Sequence, residues 1–562
     1  MSVEYALSWG NPNDHLFDVS ITFTTPVGDP RLLLPAWRPG RYLVQNYAAN
    51  VREWSATVPI RKEEKSAWRL AAKAGDRVTV RYRYFAGVLD AGSSFLDETE
   101  AYFNGSNLFM MVEPMRSEPA RLTIQAPAAW HIETQLARVG DQTFEARDYD
   151  HLIDSPTIAA ASMTHHTIEE AGTTIHLVFR GDEGIETAQY VEPARAIARA
   201  QAELFRDVPV REYRFLYHVG DVWHGVEHEA SCSIIVRRAE VLGARTGDRG
   251  FDHVLAITSH EFFHLWNVKR IMPAAFVPYD YSRETPTRLL WAMEGITSYY
   301  GELTLVRAGL WDEERYLKHL KSEIETLENA PGRRHLSLAQ ASFDGWLQDP
   351  AHMHDKTNSW ISFYNKGEIV AALLDLAIRS RGDRSLDDVM RFLWSEYGSR
   401  GRGLEEDAIE KAVAFVCGYD FSDFFHRYVE GVEPLPYQQL FAAAGITFET
   451  TPRQAGLGAK LKTSEGAVIF DSIVEGGPAM GAGILPGDEV IAIDGTRIRS
   501  EKDVDRMLRA GGDDRPFELL TSRRGLIQRR TVAARADGSV DIDLRITAAD
   551  NALRAAWLRR NV

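Results

Sequence analysis

The most informative stretch of the sequence is His260-Glu261-Phe262-Phe263-His264. On an α-helix, positions four apart lie about 40° apart around the axis, so both imidazoles point the same way. Zinc accepts imidazole nitrogen and takes three protein ligands plus water in catalytic sites. Glu261 lies on the same turn, where it can act as general base on a zinc-bound water. The pattern predicts a catalytic zinc centre; the alternative is two core histidines hydrogen-bonded to backbone.

The third ligand is expected on a nearby helix. Glu294 lies in the apolar run Trp291-Ala292-Met293-Glu294-Gly295-Ile296, where an unpaired carboxylate would be costly unless a metal or a salt bridge compensates it. It is therefore the leading candidate, and a salt-bridged helix glutamate is the alternative. The rivals, which have more polar surroundings, are Asp280, Glu284 and Glu302. His253 projects towards the side of the ligand pair, and we expect it to support the site or the helix.

Composition limits the class of protein. The chain has 562 residues, enough for about three to four domains, and the hydrophobic content of a soluble globular protein. Its formal net charge of −16 disfavours nucleic acid and anionic membranes as partners. No signal-peptide pattern or membrane-spanning run occurs, so we expect a cytoplasmic protein; a chain trimmed of its signal would look the same, which leaves the periplasm or secretion open.

Hydrophobic periodicity divides the chain. Alternating runs such as Phe17 to Phe23 and Val78 to Tyr84 predict an N-terminal antiparallel β domain over residues 1–162. A mixed α/β and helical domain is expected over 163–448, a domain with Gly-rich turns over 449–536 and a C-terminal extension over 537–562. The fold class is therefore multidomain α+β. The predicted helices of the second domain are 193–206, 252–270, 287–308, 366–380 and 385–397.

With these residues placed, the chain resembles the PDZ-bearing glycyl aminopeptidases, which are gluzincin zinc metallopeptidases related to aminopeptidase N. Met293-Glu294-Gly295 is similar to their glutamate-ligand motif. It follows His264 by 30 positions (294 − 264), more than in aminopeptidase N, and we attribute the difference to an inserted loop around Pro273 to Pro286. Pro35-Ala36-Trp37-Arg38-Pro39-Gly40-Arg41-Tyr42 resembles a motif of their N-terminal domain, interpreted as structural or domain-docking. The resemblance implies a thermolysin-like catalytic domain.

Two further motifs imply contacts with substrate. Gly225-Val226-Glu227-His228 resembles the element that binds the substrate α-amine in aminopeptidase N. A carboxylate near the metal can hold a cationic N-terminus and make the enzyme exo-acting; a surface strand glutamate is the alternative. Tyr364-Asn365-Lys366-Gly367 resembles the element with the transition-state tyrosine. Its phenol would stabilise an oxyanion, unless the ring only packs.

Residues 455–535 resemble a PDZ domain. Gly456-Leu457-Gly458-Ala459 is similar to the Gly-Leu-Gly-Phe loop, whose backbone amides capture a peptide carboxylate beside an exposed strand edge. A module that only packs on the catalytic domain is an equal alternative. The expected partners are therefore peptide substrates and, at this domain, a peptide C-terminus; no oligomeric state follows from the sequence.

The predicted function is hydrolysis of small N-terminal residues, Gly or Ala, from peptides by a zinc aminopeptidase. His260, His264 and Glu294 are the expected metal ligands, Glu261 and Tyr364 the catalytic residues, and Gly225 and Glu227 the substrate-binding residues. One alternative is a zinc endopeptidase with the same metal centre and no amine anchor. The other is a non-catalytic PDZ scaffold that binds peptides, which would have no need of Glu261.

Overall fold

The computed structural model describes residues 2–349, 351–453, 456–511, 515–535 and 538–558. The predicted boundary between the PDZ domain and the C-terminal extension, at residues 536 and 537, lies outside these residues. Within the described part of the chain, no helix combines the length and the apolar character needed to cross a bilayer. The elements confirm a multidomain α+β fold.

Alternating apolar residues build the N-terminal domain. Along Leu16–Thr24 and Arg77–Phe85 every second side chain is buried, so the inward faces of paired strands share one core. Pairing is antiparallel as predicted, except between Val3–Ser8 and Ala120–Ile124, which pair in parallel because the long intervening chain supplies the required crossover. In spatial order the seven-stranded sheet is Ala137–Arg138, Thr143–Ala146, Ala120–Ile124, Val3–Ser8, Leu16–Thr24, Arg77–Phe85 and Val51–Ala56. Two four-stranded sheets are Met111–Val112, Arg31–Leu33, Ala67–Leu70, Ile60–Glu64 and His131–Thr134, Thr157–Ala160, Glu100–Phe103, Phe95–Leu96, and two short helices are Gly105–Leu108 and Tyr149–Ile153.

A five-stranded mixed sheet begins the catalytic domain. In spatial order its strands are Thr164–Glu170, Thr173–Arg180, Glu212–Gly220, Ser231–Arg237 and His224–Glu227. The helix Arg249–Phe263, which we call the motif helix, packs on this sheet through Phe262, whose ring lies 4.9 Å from that of Tyr213. The edge strand His224–Glu227 therefore lies next to the motif helix.

Helices complete the catalytic domain, and two of them differ from prediction. The helix expected over 252–270 ends at Phe263, because the backbone N–H groups of Leu265 and Trp266 bond to the carbonyls three residues back, which breaks the regular ladder. The helix expected over 287–308 is a π-helical turn, Trp291–Gly295, followed by Ile296–Arg307. The other helices are Val191–Phe205, Arg238–Val241, Glu313–Glu328, Leu338–Phe343, Lys356–Ser359, Phe363–Arg379, Leu386–Glu396, Ala408–Cys417, Ser422–Phe425 and Tyr437–Ala443.

The PDZ domain is inserted between two paired strands. Ile446–Pro452 and Val540–Ile546 run antiparallel, and the chain leaves and returns between them. The helix Ala552–Leu558 then packs on the catalytic domain, where the indole of the fully buried Trp557 donates to the Tyr299 hydroxyl at 2.9 Å. Both ends of the PDZ domain are therefore held by the catalytic domain. The PDZ elements are Ala459–Ser464, Ala467–Ile473, Pro478–Gly481, Glu489–Ile493, Thr496–Arg497, Glu501–Gly511, Pro516–Arg523 and Leu526–Ala533.

Candidate metal centre and substrate cleft

The motif helix brings the two predicted histidines together. Their Nε2 atoms lie 3.0 Å apart and face one another. The ring of His264 is buried, whereas that of His260 is partly open to solvent. Glu261 lies beside the pair, with its carboxylate turned to the edge strand His224–Glu227.

Glu294 joins the two histidines from the π-helical turn Trp291–Gly295. Its Oε2 atom lies 3.8 Å from Nε2 of His260 and 3.4 Å from Nε2 of His264. Ligand atoms about 2.0–2.1 Å from a tetrahedral zinc ion are about 3.3 Å apart, and the three separations, 3.0, 3.4 and 3.8 Å, bracket that value. These donors therefore fit zinc. π-Helical turns are frequent at functional sites because they redirect single side chains.

The charge of the cluster also favours a cation. Burial disfavours the charged imidazole of His264, but the carboxylates of Glu294 and Glu227 outweigh burial and raise its pKa to about 10. Burial likewise opposes ionisation of Glu294, yet the neighbouring histidines hold its pKa well below the usual range. The cluster therefore holds an ionised carboxylate and a positive charge on His264, and a divalent cation bound there would replace the proton of that imidazole.

Asn267 supports two of the candidate ligands, and our sequence analysis missed it. Nδ1 of His264 lies 2.7 Å from the Asn267 carbonyl, so it donates there and leaves Nε2 free for a metal. The Asn267 side chain donates to the carbonyls of Ala292 at 2.9 Å and Met293 at 3.1 Å, which ties it to the π-helical turn that carries Glu294. One polar residue within an apolar run, Leu265-Trp266-Asn267-Val268, was the available signal.

Two carboxylates face the cleft without hydrogen-bond partners. Among the described residues, Oε2 of Glu261 and Oε1 of Glu227 are buried and have no donor. Burial and the nearby carboxylates raise the pKa of Glu261 to about 8. Gly225 lies directly against Glu261, since an added Cβ would collide with that carboxylate. Buried carboxylate oxygens without donors are costly, so both oxygens are able to accept hydrogen bonds from a bound molecule.

Tyr364 lies across the cleft from the motif helix, at the start of Phe363–Arg379. Its ring centroid is 6.5 Å from that of His260, and the side chain is 37 % exposed. Desolvation of the phenol and the surrounding carboxylates raise its pKa well above the usual value. The group therefore stays protonated and able to donate a hydrogen bond.

The rival ligands lie elsewhere. Among the described residues, the acidic and histidine groups spaced to hold a metal are His260, His264 and Glu294, and the overlapping group Glu227, Glu261 and His264. Neither contains Asp280, Glu284 or Glu302. His253 lies 3.4 Å from Glu240 and packs against the ring of Trp223. It therefore supports the motif helix at a point away from the metal position.

The N-terminal motif meets this site. The indole of Trp37 donates to the Asp280 carbonyl at 2.8 Å, which agrees with the domain-docking interpretation. Tyr42, to which we assigned no chemistry, donates its hydroxyl to Oε1 of Glu294 at 2.6 Å. It is the second supporting residue that our sequence analysis missed; its position in a motif shared with the family was the only signal.

The glycine loop of the PDZ domain is held by its own backbone. Gly458 has a φ of +63° and its carbonyl accepts from the Val474 N–H at 2.8 Å. The strand after the loop, Ala459–Ser464, lies at the edge of the sheet. At the end of the neighbouring strand, Asn358 of the catalytic domain donates to the Ile473 carbonyl at 2.8 Å. The domain therefore packs on the catalytic domain and also presents a strand edge.

Comparison with known proteins agrees with this architecture. Residues 4–161 match the Peptidase M61 N-terminal domain, residues 253–370 match the M61 glycyl aminopeptidase family, and residues 469–523 match a PDZ domain. An aminopeptidase N family protein from Idiomarina loihiensis, known from its crystal structure, is 28% identical with a TM-score of 0.93, covering 99% of this chain and 100% of that chain. An M1 zinc metallopeptidase from Deinococcus radiodurans is 15% identical with a TM-score of 0.48, covering 78% of this chain and 94% of that chain. No curated protein sequence matches the chain.

Proposed function

We propose that this metallopeptidase, which matches the models of the M61 N-terminal domain, the M61 glycyl aminopeptidases and a PDZ domain, removes small N-terminal residues, Gly or Ala first, from peptides. The observation that carries the proposal is the convergence of three ligand atoms 3.0 to 3.8 Å apart beside two buried carboxylates without donors. The preference for small residues rests on the family alone.

His260, His264 and Glu294 would hold the metal. Bound there, zinc would supply Lewis-acid activation of water and of the scissile carbonyl. Glu261 accepts a proton from the attacking water and passes it to the leaving amine. Its position beside the metal ligands, with one oxygen that has no protein donor, suits this exchange, because a general base must lie within hydrogen-bond reach of the proton that it accepts.

Two residues on opposite sides of the cleft orient the substrate. Tyr364 donates its phenolic proton as a hydrogen bond to the oxyanion that develops at the scissile carbonyl. Glu227 accepts the substrate α-ammonium with the carboxylate oxygen that has no protein donor. Because carboxylate oxygens of Glu227 and Glu261 lie within 4.8 Å of each other, the bond hydrolysed is the one next to the bound N-terminus.

A metal analysis combined with a panel of aminoacyl-anilides tests the proposal. We expect near-stoichiometric zinc, preference for Gly and Ala, and loss of activity in Glu261→Gln. Glu302→Gln is the matched control, since it changes another glutamate of the catalytic helices that lies outside the metal group. Absence of metal in protein prepared without chelators, or full activity of Glu261→Gln, would contradict the mechanism.

N-terminal acetylation separates this proposal from a zinc endopeptidase. Acetylation removes the positive charge that Glu227 would bind, so an aminopeptidase loses the substrate and an endopeptidase keeps it. Glu227→Gln should likewise raise KM for free peptides. Hydrolysis of acetylated and free peptides at equal rates would assign the endopeptidase activity instead.

The PDZ strand edge supports a second, subsidiary proposal, that the domain binds a peptide C-terminus. The strand Ala459–Ser464 lies at the edge of its sheet, and exposed sheet edges accept peptides by strand addition. Titration with a peptide and with its C-terminally amidated form provides the test. Equal affinity for both forms would exclude carboxylate capture.

A further inference from the structure

The Glu294 carboxylate contacts residues of two domains. Its Oε1 atom accepts from the Tyr42 hydroxyl at 2.6 Å, and its Oε2 atom faces the two imidazoles at 3.8 and 3.4 Å. Tyr42 belongs to the N-terminal domain and precedes Glu294 by 252 residues. One oxygen is thus held by the N-terminal domain while the other faces the metal position.

Tyr42 is itself firmly held. The segment Pro35–Tyr42, which we call the strap, docks on the loop between His264 and Glu294: the Ala36 N–H donates to the Tyr281 carbonyl at 2.8 Å. The ring of Tyr42 stacks on Phe276 of the same loop, with centroids 6.2 Å apart. The rings of Trp346 and Phe363 also pack against it edge-on, at 6.2 and 6.1 Å, so the phenol is held in place.

The contact is dry. Tyr42 is 7 % and Glu294 2 % exposed. Within the described residues, Tyr42 supplies the hydrogen bond to Oε1 of Glu294, so loss of its hydroxyl would leave a buried carboxylate oxygen unsatisfied. The carboxylate would then be free to rotate, and either oxygen could turn from the metal position.

The strap also contacts the proposed substrate anchor. Gly40 lies against Glu227, the proposed amine anchor, and an added Cβ would collide with its carboxylate. The strap therefore touches the proposed metal ligand through Tyr42 and the proposed substrate anchor through Gly40. The N-terminal domain forms one wall of the site.

We infer that Tyr42 is a positioning residue through which the N-terminal domain sets the metal affinity of the catalytic domain. The inference rests on the proposed function, since it takes Glu294 as a metal ligand. Groups that hydrogen-bond to metal ligands fix their orientation, and their loss costs roughly 10- to 100-fold in metal affinity. Tyr42→Phe keeps the ring and removes only the hydroxyl.

The test is the zinc affinity of the full chain, measured by competition with a fluorescent chelator. We expect Tyr42→Phe to bind zinc roughly 10- to 100-fold more weakly and to show a changed visible spectrum when loaded with Co²⁺. Tyr149→Phe is the matched control: Tyr149 is a buried tyrosine of the same domain whose hydroxyl donates to the Phe109 carbonyl at 2.8 Å, away from the metal. It should keep the wild-type affinity and spectrum.

Three results separate the inference from the function on which it rests. Wild-type affinity in Tyr42→Phe would overturn the inference, as would equal weakening in Tyr149→Phe, because the effect would then be a general loss of packing. Undiminished affinity in Glu294→Ala would instead overturn the proposed ligand set. Thermal unfolding of the metal-free variants shows whether each one is folded.

Discussion

Replacing Gly367 with alanine tests how the helices that carry Glu294 and Tyr364 meet. Gly295 and Gly367 pack backbone against backbone. A Cβ at Gly367 would lie 2.9 Å from the Cα of Gly295 and 2.9 Å from the carbonyl oxygen of Trp291. Carbon atoms pack at about 3.5 Å or more, so the two segments must separate by about 0.6 Å (3.5 − 2.9).

The expected size of the effect follows from two opposing contributions. Overpacking a well-packed contact costs about 1–3 kcal/mol, whereas alanine in place of glycine inside a helix stabilises by about 0.5–1 kcal/mol. The net loss in the free energy of unfolding should be about 1 kcal/mol, the middle of a range from about 0 to 2.5 kcal/mol. A displacement of about 1 Å costs about 100-fold in rate, so a shift of roughly half that size between Glu294 and Tyr364 predicts a loss of about tenfold in kcat.

Urea unfolding and kcat on a glycyl-anilide measure both effects. Gly301→Ala is the matched control, because Gly301 also lies in a helix beside the site but its added Cβ would be 3.4 Å from the Cα and N of His260. That variant should keep its activity and lose no stability. If the two variants behave alike, or if Gly367→Ala keeps wild-type stability and kcat, the packing argument is wrong.

Three further predictions concern residues around the cleft. Tyr364→Phe should lower kcat roughly 100-fold or more with little change in KM, since it removes an oxyanion donor; unchanged kcat would contradict the role. Asp154→Asn should lower the free energy of unfolding by about 3–5 kcal/mol, because the buried Lys269, 2.9 Å away, loses its partner. Burial opposes ionisation of Asp154, but Lys269 and His228 outweigh burial and hold the pKa of Asp154 well below the usual range. The stability that ionised Asp154 contributes is therefore full above the unfolded pKa of about 3.9 and is lost as the pH falls below that value towards the folded pKa. Comparing the free energy of unfolding of wild type and variant at pH 7 and pH 3 would measure this loss. Asn358→Ala removes the bonds to the Ile473 carbonyl and from the Glu475 N–H, both 2.8 Å, and should speed limited proteolysis around the PDZ domain; unchanged cleavage would refute a docking role.

The sequence predicted the parts of the site that depend on local periodicity. The spacing of His260 and His264 determines that both rings lie on one helix face, whatever surrounds them. Glu294 could be singled out because a carboxylate in an apolar helical run needs compensation. The strands Leu16–Thr24 and Arg77–Phe85 followed from strict alternation. Each of these inferences needs only neighbouring residues.

The missed features depend on contacts between distant segments. Nothing near Tyr42 in the sequence indicates a partner 252 residues later, and the Pro35–Tyr42 motif carried only a family resemblance. Asn267 lies just beyond the end of the motif helix, at Phe263, where the expected helix over 252–270 concealed the turn that directs its carbonyl to His264. The π-helical turn around Glu294 also has no period of its own in the sequence.

The long interval between His264 and Glu294 has a structural explanation. The residues between them form the loop that receives the strap: the carbonyls of Asp280 and Tyr281 accept from Trp37 and Ala36, each at 2.8 Å. Shortening this loop would leave Glu294 on its helix but remove the surface on which the strap docks. The added length therefore couples the N-terminal domain to the metal centre, and a loop deletion should reproduce the weaker zinc binding of Tyr42→Phe while leaving the ligands in place. A deletion variant with wild-type zinc affinity would mean that the loop is only a connection.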